Sequence, residues 1–342
     1  MTAAVLALVA PEEPLEIGPD TVLLGLPLVR RTALAARRVG FARVVAFAPD
    51  AETERRLGAA LEGTGAEISR EATPPGGSVA VPWNRVVALE DLRAIRQGAN
   101  PARLGVAVGE RGQIPRAESS LLRSVIKPGE GFLSRNFERR LSLAVSRRLS
   151  ATRITPNAVT AASAAIGFLG CLLFLSQRAL PQISGALLLL FHSVIDGCDG
   201  ELARLRFEET RFGGAFDFWA DNAVHCALFT ALSAGWYRST RALWPLGLGL
   251  AAVAGVLGAA SLAYGALKRN AAEGPLFTGL VSRGPGSRLA NAMACRDFLY
   301  LLLALSLLGK ANWLLVAAGG GAPAYALFLL ALDRFEPERT TT

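Results

Sequence analysis

Two hydrophobic patterns divide the chain. Over residues 1–110 short apolar runs alternate with amphipathic ones. AVLALVA, RVVAFAP, SVAVPW and NRVVAL read as strands, and LVRRTALAARRVGF and AETERRLGAALEGTG read as helices. Strands separated by helical stretches predict an α/β layer with a parallel sheet. From residue 154 the pattern becomes long runs of Ala, Leu, Gly and Val. A helix crosses a bilayer with about 20 apolar residues. Six stretches qualify, at 156–177, 180–203, 213–236, 243–267, 290–309 and 312–333. Arg296 and Asp297 interrupt the fifth, so its embedded part is expected to start at Phe298.

The junction adds a third element. In LSRNFERRLSLAVSRRLS, residues 133–150, Leu141, Val145 and Leu149 recur at helical spacing, with Arg139, Arg140, Arg147 and Arg148 elsewhere around the helix. Directly before a span, this predicts a helix lying in the membrane interface; the alternative is a connector packed on protein. The expected organisation is a cytosolic α/β domain at 1–115, a linker with the interfacial helix at 116–154, and a six-helix membrane domain at 155–335. The opening MTAAVLALVAPEEP has no basic start and runs into acids, so it reads as a buried strand rather than a signal peptide.

Charge orients the spans. The net charge is +8 over 342 residues. No basic patch with interleaved aromatics is present, which argues against nucleic acid. The Arg clusters flank apolar segments instead, which suits anionic headgroups and phosphorylated substrates. Arg147, Arg148, Arg153, Arg204, Arg206, Arg211, Lys268, Arg269, Arg283, Arg288, Arg296 and Arg334 fall on one side of the six spans. Arg178, Arg238, Arg241 and Lys310 fall on the other. The richer side is expected to be cytoplasmic, with both termini and the segment joining the second and third spans, in a multi-pass protein of the cell membrane. Cys171, Cys198, Cys226 and Cys295 show neither zinc spacing nor a disulfide framework, and read as small buried thiols.

The chemistry lies in DGCDGELARLRFEETRFGGAFDFWADN, residues 196–222, between two apolar segments. A carboxylate at membrane depth is costly and rarely left unpaired. On helices, Asp196 and Asp199 share a face at i, i+3, and Asp217 and Asp221 share one at i, i+4. Four clustered carboxylates stay ionised only beside cations, and oxygen ligands favour magnesium, manganese or calcium. Gly197, Gly200, Ala203, Gly213 and Gly214 allow close approach of a ligand or helix, and Arg204 suits a phosphate. Together these suggest a diphosphate held by two metal ions, with one carboxylate left to accept a proton. A cation transporter would also use intramembrane acids, but has no need of the Gly200, Ala203 and Arg204 pattern.

Asp196-x-x-Asp199-Gly200-x-x-Ala203-Arg204, followed by Gly213-x-x-x-Asp217-x-x-x-Asp221, resembles the full signature of the CDP-alcohol phosphotransferases. The likeness runs over about residues 120–335 and includes Thr155-Pro156-Asn157. It implies a six-helix membrane enzyme opening to the cytoplasm, which moves a substituted phosphoryl group from a CDP-linked donor to an alcohol and releases CMP. It further implies that Asp196, Asp199 and Asp217 ligate two Mg2+ ions, with Mn2+ able to substitute. Asp221 becomes the general base and a further metal contact. Gly200, Ala203, Arg204, Gly213 and Asn157 line the nucleotide site, and a homodimer is plausible by the same likeness. For a phosphorylated acceptor, Arg211, Arg283 and Arg288 are candidate cations; positive-inside topology is their alternative role.

GLPLVRRTALAARRVGFARVVAFAP resembles part of the sugar-nucleotide and cytidylyl transferases. Those enzymes hold a triphosphate on a glycine-rich basic loop after the first strand, whereas here AVLALVA runs into PEEPLEIG, with Glu12 and Glu13. The domain therefore reads as a degenerate nucleotidyltransferase-like, Rossmann-like module. The junction, with Lys127-Pro128, Gly131 and Ser134-Arg135, resembles the linker of membrane enzymes that make di-inositol phosphate from CDP-inositol. This favours a polyol-phosphate substrate, although synthases using CDP-diacylglycerol share the same signature.

Overall fold

The computed structural model describes residues 5–11, 15–71, 74–126, 138–270 and 297–335. These form two compact units. The first comprises Met1–Ile126 with Arg147–Arg153 and Glu201–Glu208; the second comprises Lys127–Ser146, Ile154–Gly200 and Glu209–Thr342.

The first unit is built on a parallel sheet. Its strands β1 (Val5–Val9), β4 (Arg43–Phe47), β5 (Glu67–Ser69) and β6 (Val79–Pro82) lie in the order β5-β4-β1-β6. Ala7 stands beside Val45 on one flank and Ala80 on the other. A strand covered on both faces is apolar throughout, as VLALV is, and Leu6, Ala7 and Leu8 are fully buried. A small hairpin of β2 (Val22–Leu23) and β3 (Leu26–Pro27) leads into α1 (Leu28–Val39). Gly40 ends α1 in the left-handed region at φ 92°, its N–H returning to the last turn, a conformation that costs glycine little. Asp50 caps α2 (Ala51–Leu61) by accepting the Thr53 N–H at 2.7 Å.

The stretch read as the strand NRVVAL behaves differently. Of this stretch β7 (Arg85–Val86) forms a strand, and it pairs antiparallel with β8 (Val106–Ala107), outside the main sheet. The following residues form α3 (Leu89–Arg96), where Asp91 accepts the N–H of Ala88 and closes the first turn. The acidic first turn, with Glu90 and Asp91, suits the positive end of a helix. Helix α4 (Ile114–Ser124) completes the residues before the junction.

Segments distant in sequence join this unit through arginines. Buried Arg31 donates to the carbonyl oxygens of Leu205 at 2.6 Å and Leu23 at 2.8 Å. Burial lowers its pKa to about 10, so the guanidinium stays charged at neutral pH. Arg206 donates to Leu149 O at 2.7 Å, and Arg204 Nε to Val125 O at 2.9 Å. At Gly25, φ 81°, a Cβ would sit 2.0 Å from Ser150 O, so backbone meets backbone there.

The second unit is helical. After α5 (Arg139–Ser150), which crosses the division between the two units, come α6 (Pro156–Leu173), α7 (Ala179–Arg206), α8 (Arg211–Thr240), α9 (Trp244–Asn270), α10 (Phe298–Leu307) and α11 (Asn312–Phe335). Residues 201–206, the last of α7, belong to the first unit. Among the described residues, four helices are long and apolar enough to cross a membrane: Pro156–Leu173, Ala179–Arg206, Trp244–Lys268 and Asn312–Leu332. Helix α8 has the length but carries Arg211, Asp217, Asp221 and Arg238, and α10 spans 10 residues. The part of the fifth expected span before Asp297 lies outside the described residues, as do Lys127, Pro128, Gly131, Ser134, Arg135, Glu12, Glu13 and Cys295. None of the described cysteines is in a disulfide. Leu169, Leu172, Leu187, Leu250 and Leu327 stay exposed on the helices, an outer surface suited to lipid.

Small residues let these helices approach. A Cβ on Gly185 would lie 2.7 Å from Gly170 O, and one on Gly255 would lie 2.4 Å from backbone atoms of Ala322 and Pro323. Without a hydrophobic drive between helices in lipid, such close packing is a main source of association.

Candidate active site

Helix α6 begins on Thr155, whose hydroxyl accepts the Ala158 N–H, with Pro156 in the first turn. This start phases one face of α6, where Asn157, Thr160, Ser163 and Gly167 recur at spacings of three and four. That face meets the acids of α7 and α8 within the second unit. The Thr160 hydroxyl donates to Asp199 Oδ2, and the Ser163 hydroxyl to Asp196 Oδ1 at 3.3 Å. Asp196 and Asp199 are each 4 % exposed, deep enough that their charge needs these donors and more.

The aspartates converge. One carboxylate oxygen from each of Asp196, Asp199 and Asp217 falls within 4.8 Å of the others. A second group, His192, Asp196 and Asp221, meets the same limit. Asp196 belongs to both, so two three-residue groups share one carboxylate. Asp217 and Asp221 stand one turn apart on α8, whose start is set by Thr210 accepting the Gly213 N–H at 2.9 Å. His192 Nε2 lies 3.6 Å from Asp221 Oδ1, and His225 Nε2 lies 4.0 Å from the same oxygen.

The other sequence-derived residues do not all gather at these acids. Asn157 and Gly213 come together: a Cβ on Gly213 would stand 2.9 Å from Asn157 Oδ1. The Gly200 N–H meets Asp199 Oδ1. Ala203 and Arg204 follow on the last turns of α7, partly buried, in the first unit. Arg211 is exposed at the first residue of α8. Arg283 and Arg288 lie outside the described residues.

The family profile for CDP-alcohol phosphatidyltransferase matches residues 153–319, which contain every one of these acids. The chain has relatives named bifunctional IPC transferase and DIPP synthase. The protein of that name from Aquifex aeolicus is 35% identical over 121 residues, 35% of this chain and 27% of the relative. The one from Rubrobacter xylanophilus is 35% identical over 223 residues, 64% of this chain and 46% of the relative. The chain thus spans less than half the length of these two relatives. A solved phosphatidylinositol phosphate synthase of Mycobacterium tuberculosis with CDP-DAG bound is 20% identical, with a TM-score of 0.41, covering 59% of this chain and 98% of its own.

From the sequence, these acids read as an oxygen-only set. The structure adds His192 beside them, and Thr160 and Ser163 as donors to them. A signal for His192 existed, since it precedes Asp196 by four residues and shares its helix face.

Proposed function

We propose that the protein is a membrane CDP-alcohol phosphotransferase. It transfers a substituted phosphoryl group from a CDP-linked donor to an alcohol and releases CMP. The observation that carries this reading is the pair of ligand groups sharing Asp196, inside the segment of matching family. Buried carboxylates at this spacing fit divalent cations, since their charges would otherwise repel in a poorly solvated place. Asp196, Asp199 and Asp217 would hold one Mg2+ or Mn2+, and Asp196 and Asp221 would contribute to a second. Such ions supply charge neutralisation of the donor diphosphate and of its leaving oxygen.

The protein's own groups do the rest. Asp221 accepts the proton of the acceptor hydroxyl through one carboxylate oxygen. The acceptor oxygen bonds to the phosphorus that carries the donor's substituent. The bond from that phosphorus to the bridging oxygen breaks, and CMP leaves with the electron pair. Thr160 and Ser163 hold the acids in orientation by hydrogen bonding. Asn157, Gly200, Ala203, Arg204 and Gly213 are assigned to the nucleotide. Arg211, Arg283 and Arg288 are assigned to a phosphate on the acceptor.

Six spans, a cytoplasmic active site and cytoplasmic termini belong to the same reading and rest on the Lys and Arg distribution. A homodimer is a further expectation. The α/β part is assigned as a degenerate nucleotidyltransferase-like module, supported by the missing glycine-rich loop. Among donors, CDP-inositol is favoured over CDP-diacylglycerol, because relatives of the chain are named bifunctional IPC transferase and DIPP synthase and the junction resembles the linker of enzymes that use CDP-inositol.

The test is purified protein with Mg2+, given CDP-inositol and CDP-diacylglycerol in parallel over a panel of alcohols, following CMP. Release that needs both alcohol and metal is expected, and the productive donor names the substrate class. Cation flux into vesicles without CMP release from any donor would replace this reading with a transporter.

A further inference from the structure

His192 stands beside the acids in a way that a packing residue does not require. Its ring is 3 % exposed and lies one turn before Asp196 on α7. Nδ1 is 2.9 Å from the carbonyl oxygen of Ser163. A carbonyl only accepts, so Nδ1 carries the hydrogen. A neutral ring then presents the lone pair of Nε2 on its other edge. That edge faces Asp221, with Nε2 3.6 Å from Asp221 Oδ1, and one ring nitrogen of His192 lies within 4.8 Å of carboxylate oxygens of Asp196 and Asp221. A backbone carbonyl that anchors one ring nitrogen while the other points at acids is the usual support of a metal-binding histidine. Gly167 makes room for the ring, since a Cβ there would stand 3.2 Å from its Cγ. The Ser163 hydroxyl, which donates to Asp196, lies 3.2 Å from the same Nδ1. Ring and carboxylate are therefore tied to one residue of α6.

We infer that His192 Nε2 is a direct nitrogen ligand of the metal ion held by Asp196 and Asp221. One of the two metal positions is then mixed nitrogen and oxygen, and the other is oxygen only. This rests on the two-metal reading above. The chemical consequence is selectivity. A nitrogen ligand raises affinity for first-row transition ions relative to Mg2+, so the His192 position takes Mn2+ or a related ion in preference, and the Asp199 position accepts Mg2+. His225 is the weaker candidate, being 4.0 Å from Asp221 and turned edge-on to Phe298 at 5.3 Å between ring centres.

The chain has two histidines, His192 and His225, which makes the inference directly readable. Untagged full-length protein in nanodiscs is loaded with Mn2+ alone and examined by pulsed electron paramagnetic resonance for the 14N modulation of a bound imidazole. The modulation is expected in the wild type and in His225→Gln, and is expected to vanish in His192→Gln. The Mn2+ dissociation constant should rise about tenfold or more in His192→Gln. If His192→Gln does not fold, the wild type and His225→Gln still decide, because only one imidazole remains in the latter. Saturable Mn2+ binding that depends on Asp217 but shows no imidazole modulation would overturn the inference and leave the carboxylate site standing. Modulation persisting in His192→Gln, or lost in His225→Gln, would also overturn it. Absence of any Mn2+ binding dependent on Asp196 would remove the metal reading and this inference together.

Discussion

Asp221 and Thr160 illustrate two different duties of single residues in the site. Asp221 is assigned the proton, so Asp221→Asn keeps the shape and removes the acceptor. Turnover is expected to fall about 10²- to 10⁴-fold while the CDP donor still binds. Parallel CMP kinetics and donor-binding titration check this; loss of binding together with turnover would make Asp221 chiefly a ligand. Thr160 touches the chemistry only through Asp199, to which its hydroxyl donates. Thr160→Val keeps the volume and removes the donor. Metal affinity is expected to weaken about 10- to 100-fold, with activity restored at saturating metal. Calorimetric metal titration against activity separates that positioning role from a folding defect, which excess metal would not rescue.

Helices in this protein meet through missing side chains. Gly255 on α9 faces backbone of Ala322 and Pro323 on α11, with only 2.4 Å available to an added Cβ. Backbone cannot turn aside as a flexible side chain can. Gly255→Val should therefore separate the two helices and cost about 1–3 kcal/mol, read as a lower thermal midpoint in detergent. An unchanged midpoint would mean that α9 and α11 do not pack closely at this position. The same physics applies on a smaller scale at Gly213, where the neighbour is the Asn157 side chain, which has some freedom to move.

At the scale of the whole molecule, the α/β unit extends beyond residues 1–126. It gathers 147–153 and 201–208 into one compact unit, and Arg31 is a central link because it donates to Leu205 and Leu23 from a buried position. Arg31→Ala leaves buried carbonyls without their donor, at a cost of about 1–3 kcal/mol, measurable as a lowered unfolding midpoint of the full chain. An unaltered midpoint would show that water replaces the guanidinium without penalty. Nucleotidyl transfer is a separate question. The sequence after the first strand offers no glycine-rich amides for a triphosphate, so full-length protein with CTP, Mg2+ and an alcohol phosphate is expected to release no pyrophosphate. Pyrophosphate release that requires both CTP and the alcohol phosphate, and that persists in Asp196→Ala, would overturn that expectation.

Much was legible in the chain alone. Continuous apolar strands, helical periodicity and runs near membrane length each follow from local composition, because burial on two faces, on one face or in lipid selects different patterns. The i, i+3 and i, i+4 spacings put each pair of aspartates on a face, since helix geometry is local. What lay beyond the sequence was whatever depends on elements meeting. NRVVAL has strand composition, yet only Arg85 and Val86 form a strand, and the acids of Glu90 and Asp91 suit a helix start. The hydroxyls of Thr160 and Ser163 are ordinary helix residues until α6 lies against α7. His192 shared the face of Asp196 all along, but periodicity cannot say what stands opposite. The Ser163 carbonyl that orients its ring, and Asp221 facing its other nitrogen, come from two other helices, and only tertiary packing brings them within reach.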